Sequence, residues 1–157
     1  MTDQPKAGST GAPRGFYTAK VDEKGRLKLP TLFQEFFGGE KLFVTSLDQR
    51  VARIYPLSLW EKNESLLFDA NEDPEMAEDV AFTANHYGAD AEIDQQGRVL
   101  LPTELRRALN LESQTVWLDC FQGGVNVYGK DVYEERLRRA TDNLGAKLIA
   151  LKKKGLK

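Results

Sequence analysis

The chain has 157 residues, 41% hydrophobic and 29% charged, a balance that fits a soluble globular domain, and no apolar run approaches the ~20 residues of a membrane span. A net charge of −2 excludes a protein whose whole surface grips nucleic acid, while leaving room for a local basic face. The lone Cys120 excludes an internal disulfide and a cysteine metal site, so a reducing cytoplasm is expected, with neither signal peptide nor membrane span.

Residues 1–13 are rich in Gly, Ser, Thr and Pro with almost nothing to bury, and are expected to form a disordered arm. From Tyr17 the chain alternates, with Tyr17, Ala19 and Val21 on one side and Thr18, Lys20 and Asp22 on the other, the period of a half-buried strand. Leu27 and Leu29 resume that pattern after Glu23-Lys24-Gly25, a three-residue loop with glycine where a left-handed backbone is needed. Pro30 stops the hairpin. Thr31-Leu32-Phe33-Gln34 has the spacing of a capping box and opens a short helix expected to bury Leu32 and Phe36. Strands are predicted at 42–45 and 52–55, followed by a helix from near Ser58, with Glu61 three residues on. Asp73 and Pro74 read as the N-cap and first residue of a linking helix.

The second half then repeats the first. Val21-Asp22-Glu23-Lys24-Gly25-Arg26-Leu27-Lys28-Leu29-Pro30 returns as Ile93-Asp94-Gln95-Gln96-Gly97-Arg98-Val99-Leu100-Leu101-Pro102, and Ile54-Tyr55-Pro56 with Trp60 returns as Val127-Tyr128-Gly129 with Tyr133. A helix from Thr103 is expected to bury Leu105 and Leu109, strands fall at 115–118 and 125–128, and a last helix opens near Asp131, with Glu134 three residues on. Each unit thus reads hairpin, helix, hairpin, helix. Units this small bury too little surface to stand alone, so the two halves are expected to share one core. The last helix aligns Tyr133, Leu137, Ala140, Leu144, Leu148 and Leu151 in one stripe, which packs either on its own core or on another subunit. Lys152-Lys153-Lys154 complements that helix's C-terminus or is simply solvated. The expected divisions are an arm over 1–13, a first module over 14–70, a linking helix over 71–88, a second module over 89–133, and a C-terminal helix with basic tail over 131–157.

The repeated turn carries the chemistry. In a hairpin paired about Lys24, Asp22 faces Arg26 and Lys20 faces Lys28, giving a two-stranded basic finger. Such a ribbon fits the DNA major groove, where an arginine fork reads guanine O6 and N7 and lysines neutralise phosphates. Asp22 would hold one edge of the Arg26 guanidinium and leave its other donors for a ligand. The same residues also fit an exposed cross-strand ion pair that steadies a tight hairpin, worth about 0.2 to 1 kcal/mol. The copies differ, because Asp90, Glu92 and Asp94 surround Arg98 with acid whereas Lys20, Lys24 and Lys28 surround Arg26. The first finger is the better nucleic-acid contact. No phosphate-cradling glycine loop, nucleophile elbow or cysteine and histidine metal spacing appears, and the single His86 has no acid-base neighbours in sequence. The acids Glu72, Asp73, Glu75, Glu78 and Asp79 read as a solvated helix start. The chain is therefore not expected to be an enzyme, to hold a cofactor or metal, or to take a small-molecule substrate.

The segments Arg14-Gly15-Phe16-Tyr17, Asp22-Glu23-Lys24-Gly25-Arg26, Leu29-Pro30, Ile54-Tyr55-Pro56 with Trp60, and Ile93 to Pro102 with Leu105-Arg106 resemble the bacterial MraZ family, from about Arg14 to about Leu137. That resemblance implies a mainly β fold with peripheral helices, in which tandem SpoVT-AbrB modules form a pseudo-dimeric double-split β-barrel. It also implies a transcriptional regulator, cytoplasmic and nucleoid-associated, that binds double-stranded DNA as a closed homo-oligomeric ring on repeated promoter boxes upstream of its own division and cell wall operon. The family's DNA-binding pair, an Asp and an Arg separated by three residues, falls on Asp22 and Arg26 and again on Asp94 and Arg98. Gly25 and Gly97 then shape the turns, Lys20, Lys24 and Lys28 lie on phosphates, and Arg14 reaches a phosphate from the start of the first strand. The alternative is a protein-interaction module, such as an antitoxin-like AbrB relative. The arm before Arg14 and the lysines past Ala146 lie outside the family pattern.

Overall fold

The computed structural model describes residues 11–69 and 73–157. Most of the predicted arm, 1–10, and the start of the predicted linking segment lie outside the described residues. In chain order the elements are β1 (Tyr17–Lys20), β2 (Arg26–Lys28), α1 (Thr31–Phe37), β3 (Leu42–Thr45), β4 (Ala52–Pro56), α2 (Leu57–Phe68) and α3 (Pro74–Tyr87), then β5 (Ala89–Ala91), β6 (Arg98–Leu100), α4 (Thr103–Leu109), β7 (Thr115–Phe121), β8 (Gly124–Tyr128), α5 (Lys130–Thr141) and α6 (Leu144–Lys152). The architecture is a β core with helices at its periphery.

The two halves exchange strands. A six-stranded antiparallel sheet runs β1-β7-β8-β4-β3-β5, and a two-stranded ribbon pairs β2 with β6. The opening strand of each half therefore lies on the other half's hairpin, β1 on β7 and β5 on β3. A pseudo-two-fold axis relates the halves: Leu27 pairs with Val99 at the centre of the ribbon, and Arg53 with Asn126 at the centre of the sheet, each pair being repeat-equivalent residues. The turns lock reciprocally, because Leu29 N–H donates to the Gly97 carbonyl and Leu101 N–H to the Gly25 carbonyl, both at 2.9 Å. These bonds satisfy backbone groups that a lone hairpin would leave to water.

This corrects the predicted local hairpin. The backbone pairing of its two arms is limited to the Val21–Leu27 bridge and the Asp22 N–H to Arg26 carbonyl bond, and β1 lies instead on β7, with Lys20 opposite Thr115. Lys20 does not face Lys28, which lies opposite Arg98.

One core joins the halves, as the size of each unit requires. Val21, Leu27, Leu29 and Phe33 pack with Val99, Leu101 and Leu105 against the inner face of the sheet, including Val44, Ile54, Leu118 and Val127. On the outer face, Trp60 of α2 stacks on Phe43 and tilts against Tyr55, while its repeat mate Tyr133 of α5 stacks on Trp117 at 4.9 Å.

Helix starts differ from the sequence reading. Pro30 and Pro56 occupy the N-cap positions of α1 and α2, and Gly129 that of α5, none with a capping side chain. Extended backbone at each of these positions starts the helix one or two residues earlier than the predicted Ser/Thr/Asp cap, so Thr31, Ser58 and Asp131 are already helical. Only Asp73 caps as expected, accepting from Met76 N–H with Pro74 following. Leu32 is 48% exposed; α1 instead buries Phe33, Phe36 and Phe37. The predicted single last helix breaks at Asp142 and Asn143, where Asn143 turns left-handed (φ 54°). Packing of its stripe on the chain's own core ends at Tyr133, since α5 and α6 bury no residue and Leu137, Leu144, Leu148 and Leu151 stay exposed.

Candidate nucleic-acid interface

The outer face of the β2–β6 ribbon is built by the two-residue period of its strands. Leu27 and Val99 point inward and are fully buried, so Arg26, Lys28, Arg98 and Leu100 point outward. The sequence reading placed Lys20 on this ribbon; the ribbon's actual third cation is Arg98, brought to Lys28 by strand exchange. Lys24 stands exposed at the first turn, and its counterpart at the second is Gln96. Lys28 Nζ donates across the ribbon to the Gln96 carbonyl. Arg14 is exposed ahead of β1.

Each arginine is held by its aspartate in the same way. Asp22 Oδ1 accepts from Lys24 N–H at 3.0 Å and Arg26 N–H at 2.8 Å, while its Oδ2 accepts from Arg26 Nε at 2.9 Å. Asp94 accepts from Gln96 N–H, Arg98 N–H and Arg98 Nε, each at 2.9 Å. The carboxylate thus shapes the turn with one oxygen and aims the guanidinium with the other. Nε is consumed, and among the described residues neither Nη atom of either arginine has an acceptor. The edge left open is the two-pronged one that matches guanine or a phosphate. Both carboxyls are held below the usual aspartate range, chiefly by the backbone N–H of the clamped arginine. They are ionised at neutral pH, the state the clamp needs.

Two supporting residues escaped the sequence reading. Gln34 of α1 donates from Nε2 to the Leu29 carbonyl at 2.8 Å, and Arg106 of α4 donates from Nη1 to the Leu101 carbonyl. Each lies against the other half's turn glycine: a Cβ on Gly25 (φ 84°) would overlap the Arg106 guanidinium, and one on Gly97 (φ 77°) the Gln34 amide. Their equal place in the repeat, four residues beyond each proline, was the available signal.

His86 is exposed near the end of α3, with its ring edge-on to Tyr87. Among the described residues no group of three or more His, Cys, Asp or Glu side chains is arranged to hold a metal, and no helix is long and apolar enough to cross a membrane. The acids Asp73, Glu75, Glu78 and Asp79 are exposed around the start of α3; Glu72 lies outside the described residues.

Residues 14–81 and 88–149 match the family model described as "MraZ protein, putative antitoxin-like". The chain is 42% identical over 106 residues to a protein of Acidobacterium capsulatum named "Transcriptional regulator MraZ", covering 66% of this chain and 73% of that one. A protein of the same name from Koribacter versatilis is 32% identical over 69% of this chain and 77% of its own length, and one from Moorella thermoacetica 30% identical over 84% and 91%. Two matched copies, one per clamped turn, and relatives of this identity show that the chain belongs to the MraZ family.

Proposed function

We propose that the chain is a sequence-specific DNA-binding transcriptional regulator, acting as a homo-oligomeric ring on repeated boxes upstream of its own division and cell wall operon. The observation that carries this reading is the pair of aspartate-clamped arginines, each with a free two-pronged edge, on one exposed ribbon. A two-stranded ribbon fits the major groove, and an arginine whose orientation is already fixed loses less freedom on binding. In this reading Arg26 reads a base, Lys24 and Lys28 lie on phosphates, Arg98 lies on the same duplex from the other end of the ribbon, and Arg14 and Lys20 approach the flanking backbone. Asp22, Gly25, Asp94 and Gly97 set the turns. The names carried by the relatives support regulation of transcription.

One ribbon offers few phosphate contacts, and the net charge of −2 adds no general attraction. Several ribbons on one ring, facing regularly spaced boxes, convert weak contacts into strong binding through effective concentration. Such a protein works in the cytoplasm, on the nucleoid.

The test is a gel-shift titration with DNA from upstream of the coding region, a scrambled competitor, and Arg26→Ala as control. A specific shift lost in a folded Arg26→Ala variant is the expected result. A folded wild-type oligomer that gives no specific shift at low salt would overturn the reading in favour of a protein-binding module.

A further inference from the structure

The outward face of the ribbon is not uniform. Arg26, Lys28 and Arg98 are cations, but Leu100, directly opposite Arg26, is apolar and 57% exposed. The pseudo-two-fold axis that relates Leu27 to Val99 also relates Lys28 to Leu100, so one end of the face pairs an arginine with a leucine and the other pairs Arg98 with Lys28. A single exposed leucine is ordinary on a protein surface. This one is set apart by its place, across from an arginine whose fork is already aimed by Asp22. Its chain neighbours Val99 and Leu101 fill the core at 0% exposure, and among the described residues Leu100 belongs to neither hydrophobic cluster.

What Leu100 can recognise is narrow. Its side chain has no donor or acceptor, so against a phosphate or a polar base edge it displaces water and returns no bond. The one apolar group that a base pair shows in the major groove is the 5-methyl of thymine. Side chains directly opposite in an antiparallel pair stand about 5 Å apart, and successive bases along a strand rise by about 3.4 Å. A ribbon that sets the Arg26 fork on guanine O6 and N7 therefore holds Leu100 over a base one or two steps away.

We propose that Leu100 is a second specificity-determining residue, packing on the 5-methyl group of a thymine one or two base pairs from the guanine read by Arg26. This rests on the DNA-binding reading above and extends it from one base to two. The other end of the ribbon carries no such preference, because Lys28 stands there in the place of Leu100 and suits guanine acceptors or a phosphate.

Gel-shift titration of the full chain on the upstream boxes tests it, with each thymine of one box replaced in turn by deoxyuridine, which removes the methyl and leaves base pairing unchanged. Wild type should lose about fourfold in affinity at one thymine lying one or two pairs from a guanine, the worth of one methyl withdrawn from water, and 5-methylcytosine should bind better than cytosine there by a similar factor. Leu100→Ala, confirmed as folded by circular dichroism, should bind thymine and deoxyuridine boxes alike, while Leu100→Met should keep the preference. Wild-type binding that ignores deoxyuridine at every position overturns the assignment, and so does a thymine preference that survives in Leu100→Ala; in both cases a specific shift that is lost in Arg26→Ala leaves the DNA-binding reading standing. A wild type without any specific shift overturns both.

Discussion

Replacing Gly25 by alanine should cost markedly more stability than the same change at Gly97, although the two turns are repeat copies. Both glycines are left-handed, at φ 84° and 77°, where an L side chain costs roughly 1–2 kcal/mol, offset in part by about 0.4–1 kcal/mol from a stiffer unfolded chain. The difference lies across the pseudo-axis. A Cβ on Gly25 displaces the Arg106 guanidinium, which is only 13% exposed, donates to the Leu101 carbonyl and pairs with Glu112 at 3.3 Å. Loss of a charged donor to a carbonyl costs about 1.5–3 kcal/mol. A Cβ on Gly97 displaces only the neutral Gln34 amide from the Leu29 carbonyl, worth about 0.5–1.5 kcal/mol. Gly25→Ala should therefore lose roughly 1.5–4.6 kcal/mol and Gly97→Ala roughly 0.5–3.1 kcal/mol, the lost bond setting a difference of about 1–1.5 kcal/mol between them. Urea unfolding followed by tryptophan fluorescence gives both numbers at matched protein concentration. Equal losses, or the greater loss at Gly97, would refute the reciprocal packing of helix side chains on turns.

Three other outcomes follow from the same geometry. The Asp22 and Asp94 carboxyls are lowered in the folded state, so their contribution to stability is complete above the unfolded value and drains away as pH falls through the folded one. Asp22→Asn/Asp94→Asn should accordingly show a shallower fall in melting temperature than wild type below about pH 4; parallel curves would contradict the clamp's ionic character. Leu27 is fully buried where the ribbon meets the core, so Leu27→Ala should cost about 2–5 kcal/mol in a denaturant melt, whereas Leu32→Ala, at 48% exposure, should stay within about 0.5 kcal/mol. Burial, reinforced by Asp119, pushes the Cys120 thiol up to about 11, so iodoacetamide at pH 8 should label it slowly in the native protein and rapidly in denaturant; equal rates would place it at the surface.

The repeat, the turn glycines and the Asp–Arg pairs were legible in the sequence because each is set by local backbone chemistry. Gly25 must be left-handed for its loop, and Asp22 bonds Lys24 N–H and Arg26 N–H within its own turn. The exchange of strands was not legible from periodicity. Alternation places Leu27 inward whether β2 pairs with β1 or with β6, and only the long-range bonds of Leu29 to Gly97 and Leu101 to Gly25 decide between them. Hence alternation alone puts Lys20 on the ribbon, where strand exchange puts Arg98. The helix starts shifted for a different reason: proline holds an extended backbone at Pro30 and Pro56, and that makes it the N-cap before a Thr or Ser can be. The apolar stripe of the last helices was correctly periodic, but periodicity says which face is apolar and not what covers it.

The most direct measurement of the central claim compares wild type with Arg26→Lys for binding to the upstream boxes and to scrambled DNA at one salt concentration. Lysine keeps the charge and loses the aspartate-aimed fork, so affinity for scrambled DNA should stay within about twofold while the specificity ratio falls roughly 5- to 150-fold, the 1–3 kcal/mol of one bidentate base contact. An unchanged ratio would show that Arg26 supplies charge alone and that sequence is read elsewhere.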